Sequence, residues 1–327
     1  MPAFNTALTR LLRGAAVLLG VVTLTFVLLH LAPGDPVRRL LGPAALPEQI
    51  ETARHSLGLD RPLLEQYVDW LRRGARGDFG TSIAQGRPAI ALLAEAWPAT
   101  AVLVLLSIIL SWVGGIVVGA FQANTRRAGL DAAASTVSVA FNAMPGYWLG
   151  LALVMVFTYR LRWLPSYGAV GLDAEFLGGP DRIIDRLRHL ALPLATLSLI
   201  GIGGAARFSR AAMREIREAP FLVAARARGL VGIRVVLRHQ LRNALVPIVT
   251  LLGLSLPALF SGAVFVEAIF AWPGVGQVLV QAVQARDYPV VMAAATISAT
   301  LVVAGNLLAE ALLTLADPRL RERHADA

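Results

Sequence analysis

Residues 207–243 read RFSRAAMREIREAPFLVAARARGLVGIRVVLRHQLRN and lie between two long apolar stretches. Nine of them are Arg, and two, Glu215 and Glu218, are acidic. Lipid offers no partners to loop backbone or to charge, so such a segment must sit in water. It reads as an aqueous loop of a membrane protein, and the apolar runs beside it read as spans.

Composition agrees with that class. The 327 residues are 56% hydrophobic, with a mean hydropathy of +0.64, well above an ordinary soluble domain. There is no Cys, which excludes disulfides, thiolate metal sites and Cys nucleophiles. All 30 basic residues are Arg. That excludes a Walker lysine, a Schiff-base lysine and a Ser-Lys pair, so any ATP that powers the protein is bound by another chain. Neither HExxH nor GxSxG occurs, and His30, His55, His189, His239 and His324 are scattered. No catalytic residue, no metal ligand and no bound cofactor is assigned, and an intramembrane enzyme is the least supported class.

A helical span takes roughly 20 residues. Six apolar windows meet that length: 14–34, 96–125, 132–159, 189–206, 244–266 and 288–312. The expected fold is therefore an all-α polytopic membrane protein with six transmembrane helices, since barrel-type alternation is absent. The first window reads as an uncleaved anchor rather than a signal peptide. Its run is too long, and Pro33 follows Ala32 with no Ala-x-Ala site.

Charge sets the orientation. With the N-terminus inside, the inner segments 1–13, 122–131, 207–243 and 317–327 hold sixteen Arg against six acids. The outer segments 33–97, 159–189 and 267–288 hold fourteen Arg against fourteen acids. The whole excess of +9 thus sits on one face, as the positive-inside rule requires. This argues for a membrane protein with cytoplasmic termini and against a nucleic-acid partner. The short loop with Arg126 and Arg127 and the long basic loop carry the assignment. Most of the arginines need be no more than topology determinants and contacts to membrane lipid.

The outer loop 35–95 carries helix punctuation. Pro47 opens one helix that stops at Gly58, and Pro62 opens another that stops at Gly74, following the Pro-first, Gly-last asymmetry. Leu63, Leu64, Tyr67, Val68 and Leu71 share one face of the second. Two readings are open: amphipathic helices at the membrane surface, or a platform for an external partner. A second outer loop spans 160–188. In the third, 267–287, Glu267 and Phe270 precede Pro273, Gly274 and Gly276, which force a turn or a broken helix.

Within the basic loop, Pro220 suits a first helical turn, and Gly229 suits the residue just past a helix end. Phe221, Leu222, Ala225 and Gly229 are expected near one face, flanked by Arg226 and Arg228. A helix this short is unstable alone in water, so it should pack on something. The small Ala224, Ala225 and Ala227 would admit a close partner. A second helical stretch is expected from Ile233 to Ala244, with Pro247 at the entry to the fifth window.

These residues resemble a known family, the inner-membrane permease subunits of bacterial ABC importers for peptides and nickel. Ala224-Ala225-Arg226-Ala227-Arg228-Gly229-Leu230, followed by His239, Asn243 and Pro247, is similar to its EAA motif, a coupling helix. Pro33-Gly34-Asp35-Pro36, Leu57-Gly58-Leu59-Asp60, Gln66-Tyr67 and Gly77-Asp78-Phe79-Gly80-Thr81-Ser82 resemble its first outer segment. His189-Leu190 with Pro193, then Glu267-Ala268-Ile269-Phe270 with Pro273-Gly274-Val275-Gly276, then Asp317-Pro318-Arg319-Leu320-Arg321 follow in the family's order. Val223 stands where the general motif has Glu, and Pro220-Phe221 keeps an aromatic but loses an acid.

The resemblance implies a type I ABC importer permease fold, with the permease domain over about 96–316. It implies half of a translocation pore for di- or oligopeptides in a multi-pass bacterial inner-membrane protein. The implied partners are a second homologous permease, two ATP-binding subunits that hold ATP and Mg, and a solute-binding protein. Pro220, Phe221, Leu222, Ala224, Ala225, Arg226, Arg228, Gly229 and Leu230 would form the ATPase-coupling element. Glu267, Phe270, Pro273, Gly274 and Gly276 would belong to an outer gate. Asn142, Met144, Tyr147 and Trp148, around Pro145, either line the pore or pack at a proline kink. Nickel, glutathione or another small solute remains open as cargo. A gradient-driven transporter is the rival class, but such proteins carry ionisable groups in their spans. Here only Glu310 lies in a window, near the inner end of the sixth.

Overall fold

The computed structural model describes residues 2–230, 232–245, 248 and 263–316. The helices are α1 (Pro2–Leu31), α2 (Pro36–Leu41), α3 (Pro47–Ser56), α4 (Leu63–Gly74), α5 (Ala89–Asn124), α6 (Ala128–Ala143) and α7 (Gly146–Leu153). They continue with α8 (Gly179–Arg217), α9 (Pro220–Ala227), α10 (Ile233–Val235), α11 (Val275–Ala285) and α12 (Tyr288–Ala316). Helix α7 runs on as a π-helix over Val154–Arg160, and α10 does so over Val236–Leu241. Among the described residues there is no strand beyond an isolated bridge between Thr81 and Pro88.

Among the described residues, four helices are long and apolar enough to cross a membrane: Leu8–Leu31, Ala89–Asn124, Gly179–Arg217 and Tyr288–Leu307. A fifth crossing exists if Ala128–Ala143 and Gly146–Arg160 form one span, and these two are bent by 106°. The window 132–159 is thus not one continuous helix. Pro145 has no N–H to donate, and it pushes Met144 into extended backbone (φ −70°, ψ 132°), which ends α6. Most of the window 244–266, Pro247 and the tail 317–327 lie outside the described residues, as does the Glu310 side chain.

Helices overrun the apolar windows where amphipathic sequence continues the turn. Helix α8 extends from Gly179 to Arg217, so the first eleven residues of the basic loop are helical rather than irregular. Two helices escaped the sequence reading. Helix α2 is only six residues long, and its N-terminus is capped by the Asp35 side chain, which accepts from the Val37 N–H at 2.9 Å. Helix α11 begins directly after the Pro273-Gly274 break, where the sequence had left a turn or a broken helix open.

The chain divides into two compact units. The first comprises Met1–Thr100 and Pro273–Ala304. Its main core joins Ala89, Leu92, Leu93 and Ala96 of α5 to Val275 and Ala282 of α11 and to Val290, Val291, Ala293 and Ala294 of α12. A second cluster, Val22, Phe26 and Met292, is covered by Tyr67, Trp70 and Leu71. Tyr67 Oη and Thr23 Oγ1 share a hydrogen bond of 2.6 Å. Helix α4 therefore lies against α1, but not through the whole face expected of it. Leu63 and Leu64 point outward, while Trp70, on the flank, does the packing. Gly58 does end α3, with φ +66°. Gly74 is the last residue of α4, as expected, and the chain turns three residues later, at Gly77 (φ +81°).

The second unit comprises Ala101–Trp272 and Gly305–Ala327. Its centre is a close helix crossing. A Cβ on Gly115 would stand 2.9 Å from the backbone of Ala205 and Ala206, and one on Gly119 would stand 2.8 Å from the Ala206 carbonyl. Ser138 and Asn142 of α6 approach Gly203 of α8 as closely, with the Asn142 backbone nitrogen 3.0 Å from a Cβ there. Three helices thus meet through small residues, the packing that apolar solvent favours because lipid gives large side chains no reason to cluster.

Candidate functional site

The basic loop is built on α8. Past its apolar stretch that helix carries Arg210, Arg214 and Arg217 on successive turns, and each is engaged. Arg210 and Arg214 both donate to Asp131 Oδ2, at 2.6 and 2.9 Å. Arg217 donates to the Ala123 carbonyl at 2.9 Å. Asp131 lies in the first turn of α6, where a carboxylate also suits the helix dipole. Two guanidinium groups on α8 are therefore tied to the start of α6, and a third to the last turn of α5.

Helix α9 follows after a two-residue break. It packs on α8 and α10, with Leu222 and Ala225 buried. Its far end has a Schellman-type cap: Gly229 takes φ +85°, and the Leu230 N–H donates to the Ala225 carbonyl at 3.3 Å. The Pro220-to-Gly229 punctuation is thus realised. The single apolar face is not. Phe221 lies off the buried side and is 44% exposed, because the helix turns it away from Leu222 by about 100°. Ala224 and Ala227 are exposed and Ala225 faces inward. Arg228 is exposed and its Nε donates to the Ala224 carbonyl; of Arg226 only the helical backbone is described. Val223, Ile233 and Leu237 are more than half exposed. With Phe221 and Leu230 they leave this short segment rich in uncovered apolar surface.

The stretch expected as helical from Ile233 to Ala244 is helical but underwound, with a π-helix over Val236–Leu241. Its π turn holds Gln240, fully buried, whose amide donates to the Met213 carbonyl of α8 at 2.7 Å. No periodicity in the sequence marked Gln240. The π turn is what rotates it toward α8, and such turns often occur where a helix does more than fill space.

The segment 263–272 is helical to Ile269 and then turns, with Ala271 in the left-handed region (φ 46°). Glu267 is fully buried, and its carbonyl accepts from the Trp272 N–H at 2.9 Å. Phe270 is 1% exposed, and its ring packs on Gly150 of α7. The Phe270 carbonyl accepts from the Gly168 N–H at 2.7 Å. Beyond it, Pro273 starts the return to the first unit and Gly274 is the N-cap of α11. There the Val275 N–H donates to Thr100 Oγ1 at 2.8 Å, and Gly276 is buried in the first turn.

The four residues around the α6–α7 break divide. Asn142 approaches Gly203 and Gly204 of α8 and is exposed. Met144 is half-buried in the break, while Tyr147 and Trp148, on α7, are each 53% exposed. The pairing of Asp131 with Arg210 and Arg214 was absent from the sequence reading. Its one legible sign was a lone acid beside Arg126 and Arg127.

With this geometry in hand, comparison with known proteins is decisive. Residues 115–322 match the binding-protein-dependent transport system inner membrane component, and residues 4–104 match the N-terminal component of such systems. The oligopeptide transport system permease protein AppB of Bacillus subtilis is 38% identical over 312 residues, which is 95% of this chain and 97% of that protein. The di/tripeptide transport system permease protein DppB of Pseudomonas aeruginosa is 37% identical over 93% of this chain and 95% of its own length. The probable D,D-dipeptide transport system permease protein DdpB of Escherichia coli is 37% identical over 93% and 94%. Among solved structures, a chain of the inward-facing MetNI methionine ABC transporter superposes with a TM-score of 0.52 at 18% identity. It covers 70% of this chain and 97% of that one. At that identity the likeness speaks for the fold alone. The chain belongs to the family of binding-protein-dependent transport system inner membrane components.

Proposed function

We propose that this chain is one of two permease subunits of an ATP-driven importer that carries di- or oligopeptides across the bacterial inner membrane. The observation that carries this reading is the near full-length likeness to three permeases whose names state peptide transport. In this reading six helices span the membrane with both termini cytoplasmic, and the permease domain covers about 96–316. A second homologous permease completes the pore. Two ATP-binding subunits hold ATP and Mg beneath it, and a solute-binding protein delivers cargo from outside.

The mechanism assigned to the residues is a lever. Helix α9, residues Pro220 to Ala227 with its Gly229 cap, docks on an ATP-binding subunit through Phe221, Val223 and Leu230. Val223 makes that contact apolar where the family motif would offer a carboxylate. Its other side, Leu222 and Ala225, rests on α8. A displacement of α9 therefore moves the end of α8. Arg210 and Arg214 hand the motion to α6 through Asp131. Coupling of this kind needs an element with two discrete positions that both sites bias. Glu267, Phe270 and the Pro273-Gly274-Gly276 turn form the outer gate, and Met144, Tyr147 and Trp148 face the path.

The test is Gly229→Val in the assembled complex. At φ +85° a β-branched residue is strained, although a Cβ there meets no atom within 4 Å. Peptide uptake should fall while the complex still assembles. Uptake equal to wild type removes α9 from the coupling role. Uptake that survives ATP depletion but collapses with an uncoupler favours a gradient-driven transporter instead.

A further inference from the structure

Between α2 and α11, in the first unit, lies a cleft of about 1020 Å³ lined by Pro33, Gly34, Arg38, Arg39, Gln284 and Arg286 among others. Its charge is lopsided. Three guanidinium groups face it, and the carboxylates at hand are already committed. Asp35 caps α2 and takes Arg54 at 2.6 Å, leaving Arg38 at 4.0 Å. Asp287 accepts from Ser82 and two backbone N–H groups. Arg39 is exposed and makes no ion pair among the described residues. The outer segment 33–97 is neutral overall, with eight Arg and eight acids, so this excess is local and arranged by the fold.

The cleft is also built rather than incidental. Arg286 sits in the left-handed region (φ 59°) and lies across the backbone of the preceding turn, donating to the carbonyls of Ala32 and Pro33. A Cβ on Gly34 would stand 2.9 Å from its Nε, so only glycine there lets the guanidinium lie flat.

The cleft opens where α1 ends. Helix α1 is the least covered of the described candidate spans, with 11% of its apolar window buried against 28% or more in the others. Val17, Leu24, Leu28 and Leu31 recur at helical spacing and are each more than half exposed. Leu31, 75% exposed, stands two residues before Pro33 of the cleft wall. An apolar stripe that runs along a span and ends under an excess of guanidinium charge has the two-part chemistry of a lipid. Acyl chains suit the leucines, and a phosphate suits the arginines.

We propose that this cleft is a binding site for the phosphodiester headgroup of an anionic phospholipid whose acyl chains lie along α1. A zwitterionic lipid brings its own cation and gains little from the arginine excess. Free phosphate shares the headgroup chemistry but cannot use the stripe. The site is independent of the cargo and of the coupling role given to α9.

The experiment is lipid binding to the purified importer complex by native mass spectrometry, with phosphatidylglycerol, phosphatidylethanolamine and inorganic phosphate as probes. Wild type should retain phosphatidylglycerol over phosphatidylethanolamine. Arg38→Gln/Arg39→Gln, which alters only exposed side chains, should weaken that retention about 30-fold, at roughly fivefold per charge. Arg72→Gln/Arg76→Gln, exposed in the same segment but outside the cleft, should leave it unchanged. Equal retention of both lipids by wild type overturns the proposal. So does an equal loss in the two double variants, or displacement of the lipid by inorganic phosphate alone.

Discussion

Asp287 and Ser82 are 205 residues apart in sequence and share a buried hydrogen bond. The same carboxylate accepts from the Ile83 N–H at 3.1 Å and the Ala84 N–H at 3.2 Å. It lies at the start of α12, where a first-turn acid would ordinarily cap its own helix. Here it caps the 78–88 turn instead and holds that turn to the first unit.

Asp287→Ala removes the acceptor for three donors, of which the Ser82 hydroxyl is buried and the Ile83 and Ala84 N–H groups are partly so. Each buried orphan costs about 1–3 kcal/mol, and the losses do not simply add. We expect a net loss of about 3–5 kcal/mol from the first unit, read as earlier thermal unfolding and new proteolytic cleavage within 78–88. Asp287→Asn, which still accepts on one oxygen, should lose less.

The Arg73–Asp78 pair gives the same turn an acid limit. Arg73 Nε donates to Asp78 Oδ2 at 2.8 Å, and the Gly80 N–H donates to Oδ1 at 2.9 Å. The guanidinium first, and that N–H second, hold the Asp78 carboxyl below its usual range. A carboxyl depressed on folding stabilises above its unfolded pKa, near 3.9, and the contribution fades as pH falls through the lower folded value. Hydrogen-exchange protection of residues 78–80 should therefore hold from neutral pH to about 4 and decline below it. In Asp78→Asn that decline should vanish.

Gly115 tests the helix crossing. Its Cβ would meet Ala205 and Ala206 backbone, which cannot swing aside. Gly115→Val should cost about 3 kcal/mol or more and prevent recovery of folded protein in detergent. Gly129→Ala is the control, since nothing lies within 4 Å of it; stability there should stay level or rise by about 0.5–1 kcal/mol.

Phe270 fills the space above Gly150. Phe270→Ala should destabilise the second unit by about 3–5 kcal/mol through the cavity left behind, measured as a drop in melting temperature. The bond from Gly168 uses the backbone carbonyl of Phe270 and should survive, so exchange at the Gly168 amide should stay slower than in an unfolded loop.

Asp131 is the test of the lever. Asp131→Asn keeps the shape but weakens the hold on Arg210 and Arg214. Uptake should fall roughly tenfold, within the usual range of coupling factors, while ATP hydrolysis by the complex continues. Asp131→Arg paired with Arg210→Asp should recover part of the loss. Unchanged uptake in Asp131→Asn would remove this link.

Much of the fold was legible because membrane sequence is heavily constrained. The apolar windows had to be helices, and Pro47, Pro220, Gly58 and Gly229 act within one turn of where they stand. The misses have a common cause. Trp70 in place of Leu63 and Leu64, Phe221 away from Leu222, and the helix at 275–285 after Pro273-Gly274 all depend on which neighbour an amphipathic face meets. Local spacing does not encode that neighbour.

The sequence by itself determined the class: a basic, Lys-free, Cys-free chain of apolar helices, with a short punctuated helix within its basic loop. These follow from solvation and backbone chemistry, which act residue by residue. The tertiary structure alone decided that Asp131 is shared by Arg210 and Arg214, that a π turn aims Gln240 at Met213, and that Asp287 closes on Ser82. Those bonds join residues from 27 to 205 positions apart. They exist because close helix packing puts particular side chains in reach, and sequence spacing carries no measure of that reach.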